Sequence, residues 1–373
     1  MNDILIIGAG YTGMMAAVGV ARRTSAARVT ILNPTDRFNE RLRQHQAAAG
    51  QELGDFRIPD IVEPAGVRFV QGRAARIDAG ARRVVLDDDR ELAYDTLVYA
   101  IGSSTPAVEH AFTIDDPKLA VALRDNPTGT LTVAGAGLTG IEAAAEAAES
   151  YPGMRVRLLS RGEPGAMMGS KARAYLRRVL DRLGVEVRTG ATVARVRPGA
   201  VELDGGEVLA SDVTLWTTGV RVAPLAAEAG IAADDTGRII VDPTLRSVSH
   251  PEVYAIGDAA AIRQAYGVLH GTCQSGIPSG AHTAESIVRQ LKGKAPKPFR
   301  FGYFHQPVSL GRRDAVIQFT NPDDTPSRWY LKGRAAVMYK EAVSSSPVTF
   351  YRSRTAIPAR MTGRTGGRRN RLS

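Results

Sequence analysis

A glycine-rich pattern occurs twice in this chain and constrains its fold more than any other feature. The pattern reads Gly-Ala-Gly-Tyr-Thr-Gly from Gly8 and Gly-Ala-Gly-Leu-Thr-Gly from Gly135. Each copy follows a short aliphatic, partly β-branched run and precedes an alanine-rich segment, so each predicts a strand, a tight turn and a helix. One copy is weak evidence, because small residues recur in ordinary turns. Two copies in the same context predict two dinucleotide sites on one polypeptide.

The three glycines of each copy have different predicted roles. The first permits the sharp turn out of the strand, the second lets a pyrophosphate approach the backbone, and the third lets the helix pack closely on its strand. The free N–H groups at the start of the helix then face the phosphate charge. The glycines predicted to act in this way are Gly8, Gly10, Gly13, Gly135, Gly137 and Gly140. The alternative is a structural turn without a ligand.

The order of predicted elements places the second nucleotide-binding unit inside the first. The run from Pro251 to Ala259 is an apolar strand that ends in Gly-Asp, so the chain returns to the first unit after residue 230. The expected fold class is α/β, with two Rossmann-like domains and a small α+β C-terminal domain. The predicted domains are 1–105 with 231–295, then 106–230, then 296–345, and a basic tail over 346–373.

Charge and composition limit the partners of the chain. The net charge is +10, and the stretch from Val343 to the end contains seven arginines and no acidic residue. This stretch predicts a disordered tail, which either rests on an anionic membrane surface or is simply solvated. Aromatic residues do not interleave with these arginines, so we expect no nucleic-acid binding. No apolar run reaches the roughly 20 residues of a membrane-spanning helix. We expect a cytoplasmic protein, either free or peripheral to the membrane, and a monomer or homodimer.

The chain contains one cysteine, Cys273. Enzymes that reduce disulfides or oxidise sulfide at a flavin relay electrons through paired thiols. A single thiol cannot form such a pair, so both chemistries are unexpected here. Cys273 itself is interpreted as a packed side chain. No cluster with the spacing of metal ligands occurs in the sequence.

The chain resembles the flavoproteins with two dinucleotide-binding domains, and among them the type II NADH dehydrogenases, from residue 2 to about residue 342. Besides the glycine patterns, the resemblance depends on Tyr-Asp-Thr-Leu-Val-Tyr-Ala-Ile-Gly up to Gly102, Leu-Trp-Thr-Thr-Gly up to Gly219, and Val-Tyr-Ala-Ile-Gly-Asp up to Asp258. It implies FAD in the first unit and NADPH or NADH in the second. It also implies an oxidoreductase that passes electrons from the nicotinamide through the flavin to a quinone-like or other small organic acceptor.

The resemblance also assigns residues to each site. Those assigned to FAD are Gly8, Gly10, Gly13, Asn33, Arg41, Ala74, Ala100, Gly102, Asp258 and Ala259. Those assigned to the nicotinamide cofactor are Gly135, Gly137, Gly140, Ser160, Arg161 and Gly219. Glu142 is expected to position the nicotinamide, with a proton-handling role possible, and His45 or Gln46 to lie near the isoalloxazine. Gln274 is expected to border the acceptor. Further along the helix of Glu142, we expect Glu146 and Glu149 to be solvated.

Three departures from the family pattern bear on function. Asn33 and Ser160 stand where a carboxylate usually binds the ribose hydroxyls. At Ser160-Arg161 the lost acid and the new guanidinium favour a 2′-phosphate, and therefore NADPH over NADH. Pro278 replaces the second glutamine of the segment that borders the quinone channel. Two further functions therefore stay open: a tailoring oxidoreductase acting on one specific metabolite, and a redox-sensing flavoprotein that binds a membrane or a partner.

Overall fold

The computed structural model describes residues 1–353. Over this range helices α1 to α9 span Tyr11–Ala21, Gln44–Ala48, Ile58–Val62, Pro117–Asp125, Leu138–Ser150, Ser170–Arg182, Leu225–Glu228, Cys273–Leu291 and Gly333–Arg352. Strands β1 to β22 span Asn2–Ile7, Ala27–Asn33, Val67–Gln71, Ala74–Asp78, Arg83–Leu86, Glu91–Ala93, Thr96–Tyr99, Thr130–Ala134, Arg155–Leu159, Glu186–Arg188, Val193–Arg197, Ala200–Leu203, Val208–Ala210, Val213–Trp216, Ile239–Ile240, Val253–Ala255, Ala260–Ala261, Arg263–Gln264, Gly267–Val268, His305–Ser309, Ala315–Thr320 and Pro326–Lys332.

The first nucleotide-binding unit is a five-stranded parallel sheet in the order β16-β7-β1-β2-β3. The residues from Ile4 to Ile7 are fully buried, as expected for a parallel sheet that is covered on both faces. Strand β16 joins this sheet beside β7, although more than 150 residues separate the two strands along the chain. The chain therefore returns to its first unit, as its sequence predicts.

The second unit is a four-stranded parallel sheet in the order β10-β9-β8-β14. Helix α5 follows β8, and its Ile141, Ala144 and Ala145 are fully buried. Each parallel sheet is accompanied by a small antiparallel one, β4-β5-β6 in the first unit and β11-β12-β13 in the second. Alternating strands and helices on parallel sheets confirm the predicted fold class.

A third antiparallel sheet, β20-β21-β22, forms the C-terminal unit together with helix α9. One face of this sheet packs on α9 through Phe319, Leu331 and Tyr339. Its other face lies against the second nucleotide-binding unit, where Val308 and Val316 join the core of that unit. This unit therefore fixes α9 beside α5.

Helix α9 continues beyond the predicted end of the C-terminal domain. Tyr351 is fully buried, and its hydroxyl donates a hydrogen bond to the carbonyl of Tyr11 at 2.8 Å. Arg22 also donates to the carbonyl of Tyr351. The prediction of a tail starting at residue 346 is therefore wrong for residues 346–352, because their apolar side chains pack on α1. The rest of that tail, 354–373, lies outside the described residues.

Among residues 1–353, no helix combines the length and the apolar composition that a membrane crossing requires.

Candidate functional site

The first glycine turn joins β1 to α1 and leaves the start of that helix open. Gly8 has a φ of +99°, and a Cβ there would lie 2.4 Å from the carbonyl oxygen of Ala100. A Cβ on Gly13 would lie 1.9 Å from the Gly8 oxygen. Neither position can accept a side chain, because the strand, the turn and the helix touch through backbone atoms. Both glycines are therefore required by the fold itself.

Gly10 differs, because neither its conformation nor its packing calls for glycine. It is the N-cap of α1 with a φ of −73°, and a Cβ on it would meet no heavy atom within 4 Å. Among the described residues no side chain caps the helix there, so the first N–H groups of α1 have no side-chain partner. Free helical N–H groups above a residue without a Cβ suit a pyrophosphate. The turn thus fits the phosphates of a dinucleotide.

The second glycine turn repeats this geometry between β8 and α5. Gly135 has a φ of +111°, and a Cβ on Gly140 would lie 1.9 Å from the Gly135 oxygen. The middle glycine, Gly137, has a φ of −68°, no atom within 4 Å of a Cβ position, and no side-chain cap on its helix. The hydroxyl of Thr217 donates to the carbonyls of Ala134 and Gly135 at 3.0 and 3.1 Å. The same features therefore fit a second dinucleotide.

The residues that end the second strand of each unit are placed differently. The side-chain oxygen of Asn33 accepts the N–H of Ala9 at 3.0 Å, and its NH₂ group donates to the carbonyl of Thr35 at 2.8 Å. Asn33 therefore stabilises the first glycine turn. Ser160 directly follows β9, and its backbone N–H donates to the carbonyl of Arg188 at 2.9 Å. Arg161 is exposed, and its guanidinium has no ion pair within the described residues.

Three chain segments meet around Asp258, which lies in a 3₁₀ turn after β16. The hydroxyl of Ser103 donates to an Asp258 carboxylate oxygen at 2.7 Å, and Arg41 donates to the carbonyl of Ser103 at 2.6 Å. Gly271 lies so close that a Cβ on it would be 2.4 Å from Oδ1 of Asp258. The structure thus brings together two residues predicted for FAD, Arg41 and Asp258. Ser103 was missed by the sequence analysis, although it directly follows the strand-ending Gly102.

The other positions assigned to FAD and the nicotinamide lie at the ends of strands. Gly102 and Gly219 follow β7 and β14 with φ values of +71° and +76°. The carbonyl of Ala100 contacts Gly8. Ala259 is fully buried beside Asp258, and Ala74 is the first residue of β4. Their contacts with a cofactor stay predictions.

Glu142, on the first turns of α5, is buried in an ion pair. Its Oε1 accepts from Nζ of Lys340 at 2.6 Å and from the N–H of Ser309 at 2.9 Å. Burial by itself would raise the pKa of Glu142, but the charge of Lys340 and the hydrogen bonds from Lys340 and Ser309 outweigh it and lower that pKa. Lys340 also donates to the carbonyl of Pro307 at 3.2 Å. Sequence reasoning missed Lys340, whose only signal is a lysine at a core-facing position of α9.

His45 lies between two carboxylates of α5. Its Nδ1 is 3.7 Å from Oε2 of Glu142, and its Nε2 is 3.8 Å from Oε2 of Glu146. Burial lowers the pKa of His45 to about 4, so its imidazole is neutral near pH 7. Glu146 is fully buried, which corrects the expectation that it is solvated. The segment of residues 44–51, which includes α2, packs over this part of α5 and covers Glu146. Gln46 is buried as well.

Gln274 has both ends of its amide engaged. Its NH₂ group donates to the carbonyl of His305 at 2.7 Å, and its oxygen accepts the N–H of Phe304 at 2.7 Å. It therefore links the start of α8 to the start of β20. The predicted border with an acceptor is untested, and the observed role is to hold two segments together.

Comparisons with known proteins agree with this architecture. The family model described as pyridine nucleotide-disulphide oxidoreductase matches residues 2–286. An NADH dehydrogenase-like protein of Mycobacterium tuberculosis is 33% identical, and the match covers 85% of this chain and 87% of that protein. A type II NADH:quinone oxidoreductase of Staphylococcus epidermidis is 28% identical, with 84% of this chain and 89% of that protein covered.

Solved structures share the fold. The sulfide:quinone oxidoreductase of Aquifex aeolicus has a TM-score of 0.82 at 16% identity, covering 96% of this chain and 93% of its own. NDH2 of Plasmodium falciparum, solved in complex with NADH, has a TM-score of 0.77 at 14% identity. The match covers 94% of this chain and 96% of that chain. The chain therefore belongs to the pyridine nucleotide-disulphide oxidoreductase family and, within it, is similar to the type II NADH dehydrogenases, as an oxidoreductase with FAD and a nicotinamide dinucleotide as cofactors.

Proposed function

We propose that this protein oxidises NAD(P)H at a bound FAD and passes the electrons to a quinone-type small molecule. The observation that carries the proposal is the pair Gly10 and Gly137. Neither has a positive φ, and neither is crowded, so the protein itself does not need glycine at either position. A ligand that approaches each backbone closely accounts for both.

The first glycine turn, with Asn33 holding it from the side, would bind the FAD pyrophosphate. Asp258 would accept hydrogen bonds from hydroxyl groups of the flavin nucleotide, since a carboxylate is an acceptor only. Its Oδ2 is already held by Ser103, which fixes the orientation of the carboxylate. When bound, FAD supplies the capacity to accept a hydride and return electrons singly or in pairs.

The second turn, from Gly135 to Gly140, would hold the nicotinamide cofactor above the start of α5. Glu142 follows on the same helix, and Lys340 fixes its carboxylate at the junction of the three units. This ion pair is buried, so it keeps a defined charge and orientation where the nicotinamide and the flavin are expected to meet. Among the cofactor alternatives, the exposed guanidinium of Arg161, which has no ion pair within residues 1–353, favours NADPH.

The acceptor is supported by similarity to quinone reductases, namely the staphylococcal enzyme and the demethylphylloquinone reductase of Synechocystis, which is 26% identical. Peripheral attachment to a membrane, a cytoplasmic location and a monomeric or dimeric state remain part of the proposal.

Anaerobic mixing of the purified yellow protein with NADPH or NADH tests the proposal. We expect rapid bleaching of the flavin absorption by at least one nicotinamide, and recovery of the colour when a short-chain quinone is added. A colourless protein that takes up no FAD on reconstitution would contradict the cofactor assignment. Bleaching without recovery by any quinone, but with recovery by another organic compound in an acceptor screen, would instead favour the tailoring oxidoreductase.

A further inference from the structure

A row of buried titratable side chains crosses the junction of the three units, and the proposed function uses only its first member. Glu142 and Glu146 lie one helical turn apart on α5, and His45 of α2 sits against both. All three are buried, with exposures of 8%, 0% and 3%. Burying three titratable side chains side by side lowers the stability of the fold, because each charged form loses its hydration. Such a row therefore calls for a functional explanation.

The two ring nitrogens of His45 face different carboxylates, at 3.7 and 3.8 Å. These separations are longer than a hydrogen bond, so a shift of under about 1 Å would close each contact. Within residues 1–353, Nε2 of His45 and Oε2 of Glu146 are buried without a hydrogen-bond partner. Buried polar atoms are normally satisfied, so this pair, 3.8 Å apart, needs an explanation.

The charges around the row favour one arrangement of protons. Lys340, Arg312 and Glu341 face His45 in addition to Glu142. Arg312, Gln51, Glu149 and Glu142 face Glu146. Burial raises the pKa of Glu146 despite Arg312, while Lys340 lowers the pKa of Glu142. Glu146 therefore holds a proton more readily than Glu142 does, and the imidazole of His45 between them is neutral near pH 7.

The inner end of the row reaches the predicted flavin site. Lys340 donates to the carbonyl of Pro307 and Gln274 to the carbonyl of His305 on the same strand, β20. Gly271, three residues before Gln274, approaches the carboxylate of Asp258, so the Glu142–Lys340 pair and the Asp258 turn are connected through β20 and the start of α8. The outer end reaches solvent. Glu146 is bonded to Gln51, and Arg312, which lies 3.6 Å from Glu146, has a side chain that is 28% exposed.

The overall reaction needs such a route, an argument that rests on the proposed function. Reduction of a quinone by NAD(P)H follows NAD(P)H + Q + H⁺ → NAD(P)⁺ + QH₂. The hydride supplies two electrons and one hydrogen, so one proton must come from water. Reduction of ferricyanide needs no proton, because NAD(P)H + 2 Fe(III) gives NAD(P)⁺ + H⁺ + 2 Fe(II).

We propose that His45 transfers protons between Glu146 and Glu142, so that the three side chains conduct the substrate proton from solvent to the domain junction. The carboxylic acid of Glu146 gives its proton to Nε2 of His45, while Nδ1 of His45 gives its proton to Oε2 of Glu142. Glu146 is then protonated again from water beside Gln51 and Arg312. A rotation of the imidazole then turns its protonated nitrogen toward Glu142 and its bare nitrogen toward Glu146, so the next proton can follow the same route. His45 and Glu146 act through Glu142 and do not touch the substrate.

The test compares two acceptors in His45→Gln and Glu146→Gln, which keep the polarity but cannot relay a proton. We expect kcat with a short-chain quinone to fall at least about tenfold, while kcat with ferricyanide stays within about twofold. The ratio should move most above pH 7, where protons are scarce. Asp314→Asn is the matched control, since Asp314 is a buried carboxylate that is bonded to Tyr175 and Arg182 outside the row. It should leave the ratio unchanged.

Two measurements do not depend on the variants being active. In wild-type protein, D₂O should slow quinone reduction but not ferricyanide reduction. An infrared C=O band of a protonated carboxylic acid should disappear in Glu146→Gln, even without added nicotinamide. An unchanged acceptor ratio, a parallel loss of both activities, or the absence of a solvent isotope effect would overturn the proposal. Failure of wild-type protein to reduce any quinone would instead contradict the proposed function, and the infrared band would still report on Glu146.

Discussion

Arg161 is the residue whose replacement separates the two nicotinamide cofactors. It follows β9 at the position where an acid would bind ribose hydroxyls, and it is exposed without an ion pair in the described chain. Arg161→Ala should raise KM for NADPH about tenfold or more, because a charge-assisted contact to a 2′-phosphate is lost. KM for NADH should change less than about twofold by the same reasoning. Equal changes for both cofactors, measured with one acceptor, would remove the phosphate assignment.

Gly137 and Gly140 should respond differently to the same substitution. Gly137→Ala meets no protein atom, so we expect normal stability and flavin content but a large rise in KM for the nicotinamide. Gly140→Ala places a Cβ 1.9 Å from a backbone oxygen, so it should lower the melting temperature as well. Thermal unfolding and steady-state kinetics on both variants distinguish the effects. Unchanged nicotinamide binding in Gly137→Ala would contradict a site at this turn.

The elements at the junction of α2, α5 and α9 should give the protein a pH-dependent stability. The pKa of His45 is lowered to about 4 in the folded chain from an ordinary 6.5. The unfolded chain therefore binds this proton first as the pH falls, and stability is lost between about pH 6.5 and 4. A shift of this size corresponds to about 3 kcal/mol. Glu142, whose pKa is also lowered, adds a loss of the same sign at lower pH, and Glu146, whose pKa is raised, opposes both.

Denaturant unfolding of wild type and His45→Gln at several pH values between 7 and 5 measures this contribution. The wild type should lose stability more steeply than the variant as the pH falls. His305→Gln is a useful comparison, because burial also lowers the pKa of His305 to about 4 outside the α5 row. It should flatten the pH dependence in a similar way but leave the quinone to ferricyanide ratio unchanged. Equal slopes in wild type and His45→Gln would show that His45 titrates normally in the folded chain.

The strands, the helices and the glycine turns were predictable because their signals are local. A β-branched run, a glycine pattern and an alanine-rich helix lie within about twenty residues of one another in each unit. The partners at the junction were not predictable, since Lys340 and Glu142 are nearly 200 residues apart. Glu146 is an example. Its position on α5 predicted a solvent-exposed side chain, but a segment distant in sequence, residues 44–51, covers it.

At the scale of the whole molecule, α9 connects the C-terminal unit to the first nucleotide-binding unit. It contributes Lys340 to the junction near its middle, and near its end it buries Val348 and Tyr351 against the core of the first unit. Tyr351 packs edge-on against Phe38, which in turn packs against Tyr11 of the first glycine turn. The sequence suggested a tail here because arginines accumulate among glycines and serines without any acidic residue. Val348 and Tyr351, two apolar residues three positions apart, instead indicated a helix with a buried face.

Two truncations separate the helix from the segment after it. Ending the chain after Ser345 removes Val348 and Tyr351, and the loss of a buried aromatic side chain alone costs about 3–5 kcal/mol. Such a protein should lose melting temperature and FAD content, because the removed residues pack beside the first glycine turn. Ending the chain after Ser353 keeps every contact of α9 described above, so FAD per chain and melting temperature should match the full-length protein. Flavin absorbance relative to protein absorbance measures both cases. Loss of FAD from the chain that ends at Ser353 would place residues 354–373 in the flavin unit. Full FAD retention in the chain that ends at Ser345 would show that Tyr351 does not support the first glycine turn.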